Sequence, residues 1–511
     1  MVATPHWLAT EAGAKVLKRG GNAIEAIVAA GAALSVLYPH FCGLGGDAIW
    51  ITADRSGKAK AFMGIGHGAE EAGAALAGLS AIPARGPLST LLTACLVDSW
   101  DKVLVHSRSE WQGKETLAAL LDDAITLADD GFATSPSQSF WYRFRQDEVA
   151  GWPGFTETFA ADGMQRQPAL AKTLRAIADK GVRDFYEGEL AARIIAGLQA
   201  AGSPLTSKDL AATATRIETP LSIDYRGLTL LAPPPPTQGV TTLGIMGVLA
   251  GFDMAGLDYR SADYYHHLVE AVKQAFLDRP AIADPLFATV DTDRLLNPDR
   301  LGAKTRAIDP AQALPWPQTF KPGDTAFLSA TDSEGRSVSM LQSLYFDWGS
   351  GVVAGDTGIL WQNRGAAFSL DPASPNAYAP GKRPFYTLNP GMALKDGRPH
   401  LLYGTQGADG QPQTLALILS LMIDHGLDPL AALSQPRFLL GKTFSDATDS
   451  LKIEANVGDG VVDGLSAIGH AVSRIDAFSQ LGGQAGVIRI SDEGRIDGAH
   501  DPRSDGGAMG I

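Results

Sequence analysis

The strongest chemical pattern in the sequence is a threonine followed at a distance by clustered glycines. Asp324 and Thr325 stand where a stretch rich in Pro, Asp and Lys gives way to strand-like residues. Beyond them come Gly349, Gly351, Gly355 and Gly358, then Gly404, Gly407 and Gly410, with Ala408 beside Gly407. Such glycines allow close backbone approach, which a pocket of main-chain N–H donors for a developing oxyanion requires. Other patterns carry less. Gly43, Gly45, Gly46 and Asp47 precede a strand-like run, whereas a dinucleotide loop follows a strand and opens a helix. Gly64, Gly66 and Gly68 around His67 also lack the dinucleotide spacing. His267 and Glu270 lie one helical turn apart, a spacing a metal could use, but no third ligand appears nearby and an amphipathic helix with a polar outer face explains them as well. Sequences of the GxSxG, HExxH and Walker A type are absent.

The elements that must position these residues are legible in outline. Apolar periodicity predicts a helix from Thr10 to about Leu17, ended by Gly20 and Gly21, and a second from Ala23 to Leu37. Ala48 to Thr52 reads as a strand. Residues 100–220 read as mostly helical, with helices at Thr116–Asp129, Ala169–Lys180 and Glu189–Ala200, and another follows at Asp263–Asp278. Pro233 to Pro236 can join neither a ladder nor a helix interior. Residues 300–323 read as an exposed linker. From Thr325 to Leu344 two strand-like runs are broken at Ser333 to Gly335. A helix-rich first part and a strand-rich second part predict the α+β class.

Composition narrows the partners. Lys plus Arg number 42 against 56 Asp plus Glu, a formal net charge of −14. That balance argues against a nucleic acid partner and against an anionic membrane surface. Cys42 and Cys95 are too few for a disulfide framework or a structural zinc site and are expected to be reduced. The N-terminal residues read as no secretory signal, and the longest apolar stretch, Ala26 to Leu37, is too short to span a bilayer. A cytoplasmic protein with a small-molecule substrate is the expectation.

Many short segments then combine in order. His6, Gly20 to Asn22, Tyr38 to His40 and Gly43 to Gly46 open the chain. Phe185 to Gly188, Asp209, Asp224 to Gly227, Pro233 to Gly239, Asp278 and Arg279 follow. Gly355 to Gly358, Lys382 to Pro384 and Asp501 to Ser504 complete the set. The sequence resembles, over nearly its whole length, the γ-glutamyltransferase family of N-terminal-nucleophile hydrolases, and within it the oxamate-amidohydrolase-like branch.

That resemblance implies a four-layer αββα sandwich shared by two fragments of a self-cleaving precursor. The cut falls between Asp324 and Thr325 and needs no cofactor or metal. It yields a large region, 1–324, and a small region, 325–511, held as a heterodimer, with a dimer of these as a further option. Thr325 becomes the nucleophile and its freed α-amino group the base. An unperturbed α-amino group has a pKa of about 7.7–8.0, so it is partly neutral near pH 7 and no histidine is needed. By the same resemblance Ser343 bonds the nucleophile, Gly407 and Ala408 supply the oxyanion-hole N–H groups, and Asn363 is structural.

The substrate positions depart from the family pattern. Ala61 to His67 contains no Arg to grip an α-carboxylate, and Tyr386 and Thr387 replace paired serines. Tyr345 and Ala367 stand where an Asn and an Asp would hold an α-amino group, and Arg364 replaces a Gln. A γ-glutamyl donor loses contacts and gains repulsion there. Arg364 suggests a carboxylate close to the scissile amide, with His67 and Thr387 as helpers. Alternatively Arg364 pairs with an acidic neighbour and Tyr345 fills a vacated pocket. The expected activity is hydrolysis of a small, oxamate-like amide through an acyl-threonine. Hydrolysis or transfer of glutathione-like γ-glutamyl amides is the first alternative, and an unprocessed, non-catalytic family member the second.

Overall fold

The computed structural model describes residues 1–316, 324–441 and 449–511. Its first sheet has seven strands, all antiparallel, in the order Gly507–Met509, Val2–Thr4, Asp324–Thr331, Ser337–Tyr345, Asp47–Ala53, Ala59–Gly64, Arg216–Glu218. The second has six, also antiparallel: Ile496–His500, Ala485–Ile490, Arg398–Thr405, Gly391–Lys395, Leu228–Ala232, Leu221–Tyr225. The strand-rich second part of the sequence therefore does not form the sheets alone; both draw strands from before and after Thr325.

The sheets pack face to face. Ser339 Oγ donates to the Tyr403 carbonyl across the interface at 3.2 Å. The Phe327 ring lies over Gly404 and Gly486, and a Cβ on Gly404 would come within 2.1 Å of it. Ile51, Leu231, Met392, Leu402 and Ile488 fill the space between the layers. On the outer face of the first sheet sits a core that includes the helix Ala23–Leu37, every residue of which is buried. On the outer face of the second sits another, built on Gly239–Leu249, Ala262–Phe276 and Gln411–Ile423. The result is helix, sheet, sheet, helix, an α+β sandwich.

Local chemistry explains the element limits. Asn22 and Glu25 form a reciprocal capping box that starts Ala23–Leu37. Glu189–Ala200 spans the residues its periodicity predicts. Two readings need correction. Residues 300–306 belong to a helix, Pro298–Arg306, whose Asn297 side chain caps its first N–H groups; the Lys321 to Gly323 end of the predicted linker lies outside the described residues. The helix Ala262–Phe276 has almost no exposed face, because Glu270 is fully buried and paired with Lys273 at 2.7 Å. There His266, not His267, approaches Glu270 together with His470, while His267 packs edge-on against Phe252. Both cysteines are buried and unpaired. Among the described residues no helix is long and apolar enough to cross a membrane.

Candidate active site

Thr325 is the second residue of a central strand and is only 1% exposed. Its neighbour Ser337–Tyr345 pairs regularly from Ser337 to Gln342, and then the register shifts so that Tyr345 faces Asp324. Ser343 falls inside this irregularity, and Tyr345 takes a left-handed conformation at φ 85°, which costs a non-glycine residue free energy. Bulges of this sort re-aim side chains beside functional sites. Here the Thr325 hydroxyl donates to Ser343 Oγ at 3.4 Å, and Tyr345 N donates to the same oxygen at 2.8 Å.

A donor to Thr325 comes from the other sheet's helical layer. Gln411 Nε2 lies 3.3 Å from Thr325 Oγ1. Gln411 opens the helix Gln411–Ile423, directly after the turn Ala408–Gly410 that ends the strand Arg398–Thr405. That turn holds Gly407 at φ 123° and Ala408 at φ 43°. Gly407 and Ala408 thus precede Gln411 in a backbone shape that glycine adopts freely and alanine rarely. Gln238 braces it, donating from Nε2 to the carbonyls of Ala408 at 2.6 Å and Thr387 at 2.7 Å.

Arg364 lies on the far side of Ser343 and is fully buried. Its Nη2 is 3.5 Å from Ser343 Oγ and its Nη1 3.3 Å from Thr387 Oγ1. The guanidinium sits between two rings, 4.4 Å from the centroid of Tyr345 and 4.3 Å from that of Tyr386. Among the described residues its Nε has no hydrogen-bond partner. Burial lowers its pKa from the ordinary arginine value, and the carboxylate that counters this is Asp47, acting from behind Tyr386. The expected alternative of a directly paired acidic neighbour therefore does not hold among the described residues.

Asp47 is fully buried at the start of its strand. It accepts from Tyr386 Oη at 2.7 Å and from the backbone N–H groups of Gly66 at 3.0 Å and Cys95 at 2.9 Å. Burial pushes its carboxyl up to about 6. Tyr345 and Ala367 line a cleft of 580 Å³ that also includes Arg279, Phe368, Phe385 and Asp409; Arg279 and Asp409 form an ion pair there.

The structure thus gathers Thr325, Ser343, Arg364, Thr387, Tyr345 and Tyr386, with the Gly407 and Ala408 turn beside them. Asn363 is buried next to the site, its Oδ1 accepting from Phe346 N at 3.0 Å. His67 is not brought in by any described contact; its backbone N–H donates to Thr93 Oγ1 and its ring Nδ1 lies 3.3 Å from the Gly68 carbonyl. Asp47, Gln238 and Gln411 were not singled out from sequence. Asp47 had one signal, a carboxylate directly after clustered glycines.

Two face-to-face antiparallel sheets between helical layers, with a buried threonine at the head of a central strand, define the N-terminal-nucleophile hydrolase class. Likeness to known proteins gives the family. A profile described as Gamma-glutamyltranspeptidase matches residues 9–511. The chain is 43% identical to the oxamate amidohydrolase proenzyme of Klebsiella pneumoniae subsp. pneumoniae, over 100% of this chain and 98% of that protein. It is 41% identical to the glutathione hydrolase-like YwrD proenzyme of Bacillus subtilis (strain 168), again over 100% and 98%. The crystal structure of cephalosporin acylase from Bacillus halodurans superposes with a TM-score of 0.90 at 32% identity, covering 99% of this chain and 94% of that one. The chain belongs to the gamma-glutamyltranspeptidase family, and it is a self-processing amide hydrolase.

Proposed function

We propose that this chain hydrolyses a small amide whose carboxylate lies next to the scissile carbonyl, with Thr325 as nucleophile. The observation that carries this reading is Arg364. A fully buried guanidinium held by two hydroxyls and two rings, with no acid bonded to it among the described residues, is a site for an incoming anion. It is separated from the Thr325 hydroxyl by a single hydroxyl, that of Ser343, which matches a carboxylate attached directly to the reacting carbon. The likeness to an oxamate amidohydrolase proenzyme supports the same substrate class.

In the uncut chain the Thr325 nitrogen is an amide and cannot act as a base. Attack of its hydroxyl on the Asp324 carbonyl breaks the peptide C–N bond and forms an ester; water then cleaves that ester and leaves a free α-amine. The two products are residues 1–324 and 325–511. They remain together because the strand beginning at Asp324 lies between strands of the same sheet, one of which, Val2–Thr4, comes from the first fragment. In the mature enzyme the α-amine takes the hydroxyl proton as the oxygen attacks the amide. The backbone N–H groups of Gly407 and Ala408 receive the oxyanion. Ammonia or an amine leaves with that proton, and water hydrolyses the acyl-threonine. Two buried, unpaired cysteines fit a reducing, cytoplasmic setting.

The test is a direct comparison of oxamate with a γ-glutamyl anilide on mature enzyme. Preference for oxamate is expected. Preference for the anilide, with acceleration by a dipeptide acceptor, would overturn the reading in favour of γ-glutamyl chemistry.

A further inference from the structure

We propose that Asp47 is a positioning residue of the carboxylate site, acting on Arg364 through Tyr386. This rests on the reading of Arg364 as the group that binds the substrate carboxylate.

The contacts of Arg364 leave its orientation loosely set. Hydroxyls rotate to follow a donor, and a cation over an aromatic face can slide without much loss. What is rigid is the wall it lies against. The Tyr386 ring presents one face to the guanidinium, and its hydroxyl is tied to Asp47 Oδ2 at 2.7 Å. Asp47 is itself immobile, because Oδ1 accepts from two backbone N–H groups, those of Gly66 and Cys95. These donors come from two separate segments, so one carboxylate ties the loop after Ala59–Gly64 and the start of the helix Leu96–Glu110 to Tyr386.

Strand register adds the second link. Asp47 is paired directly with Ser343 across neighbouring strands. The residue that pins the wall of the carboxylate site is therefore also the strand partner of the residue that contacts the nucleophile. A buried carboxylate without a bonded cation is costly unless its oxygens are satisfied, and here each oxygen has a donor. Tyr386→Phe isolates the role: it keeps the ring against Arg364 and removes only the hydroxyl that Asp47 holds.

The experiment measures kcat/KM for oxamate and for a neutral amide, propanamide, on mature wild type, Tyr386→Phe, Asp47→Asn, Arg364→Gln and the Arg364→Gln/Tyr386→Phe double variant. The expected result is a drop of at least tenfold in the oxamate-to-propanamide ratio for Tyr386→Phe and for Asp47→Asn. In the Arg364→Gln background, Tyr386→Phe should change the ratio less than threefold, because the group it acts through is gone. Equal losses on both amides, or the same drop with and without Arg364, would make the contact merely structural and overturn the proposal. If Arg364→Gln itself leaves the ratio unchanged, the carboxylate reading falls and takes this proposal with it. Should Asp47→Asn fail to mature, the Tyr386→Phe arms decide alone.

Discussion

The Ser343 hydroxyl accepts the hydrogen bond of the Thr325 hydroxyl at 3.4 Å from within a break in strand register. A regular ladder would have continued the pairing past Gln342. The irregularity instead gathers Ser343 and Tyr345 beside Thr325, with Tyr345 bent back over Arg364. The contact to the Thr325 hydroxyl and one of the two rings over Arg364 thereby come from two residues of one strand, Ser343 and Tyr345.

Arg364→Gln should raise KM for oxamate by roughly 10–100-fold, the loss expected from about 1.5–3 kcal/mol per charged hydrogen bond. A neutral amide should be much less affected. Steady-state kinetics on the two substrates check this; an equal change on both would assign Arg364 to packing.

Gln411→Leu keeps the volume near Thr325 and removes the Nε2 donor. One hydrogen bond of about 1 kcal/mol is at stake, so self-cleavage and turnover should each slow roughly five- to tenfold. A time course of fragment appearance on a denaturing gel, with initial rates, measures both. Unchanged rates would show that the contact carries no part of the chemistry.

Much of the scaffold was legible because its signals are local. Asn22 and Glu25 sit three residues apart and cap a run of apolar residues, so Ala23–Leu37 is readable from one window. The helix Pro298–Arg306 was hidden by its own composition, Pro, Asp, Lys and Arg, although Asn297 before Pro298 is a helix-start signal. The site was legible mainly by resemblance, which pointed to Thr325, Ser343, Arg364 and the Gly407 and Ala408 turn. Asp47 was missed because its partners, Gly66, Cys95 and Tyr386, are distant in sequence and meet it only through the sheet. Gln411 was missed for the same reason: nothing near it in the chain announces Thr325.

Gly404→Ala tests the sheet interface. The added Cβ would come within 2.1 Å of the Phe327 ring, which has no free space to retreat into because it also covers Gly486. Overpacking of this kind costs about 1–3 kcal/mol. The melting temperature should fall; an unchanged value would mean that the sheets separate locally at little cost.

Stability should decline as pH falls from about 6.5 toward 4. Burial holds His6, His106 and His500 at about 4, below the ordinary imidazole value. Their contribution is fully present above the unfolded value and is lost as pH falls through the folded one. Asp47, pushed up to about 6, has the opposite sign: its contribution is present below the ordinary carboxylate range and is lost as pH rises through 6. Burial also lowers His40, His266, His400, His425 and His470, and among the described carboxyls it raises only Asp505 besides Asp47, so the imidazoles prevail and predict a net loss toward acid. Thermal scans at pH 4.5, 5.5 and 6.5 check it, and a melting temperature that rises on acidification would contradict it.

The most direct test of Thr325 as nucleophile is the intact mass of purified wild-type protein and of Thr325→Ala after incubation at neutral pH. Two wild-type fragments are expected, residues 1–324 and 325–511, the second beginning at Thr325, and a single uncut, inactive chain for the variant. A wild-type chain that stays whole yet hydrolyses amides, or a Thr325→Ala chain that still cleaves and turns over substrate, would contradict the assignment.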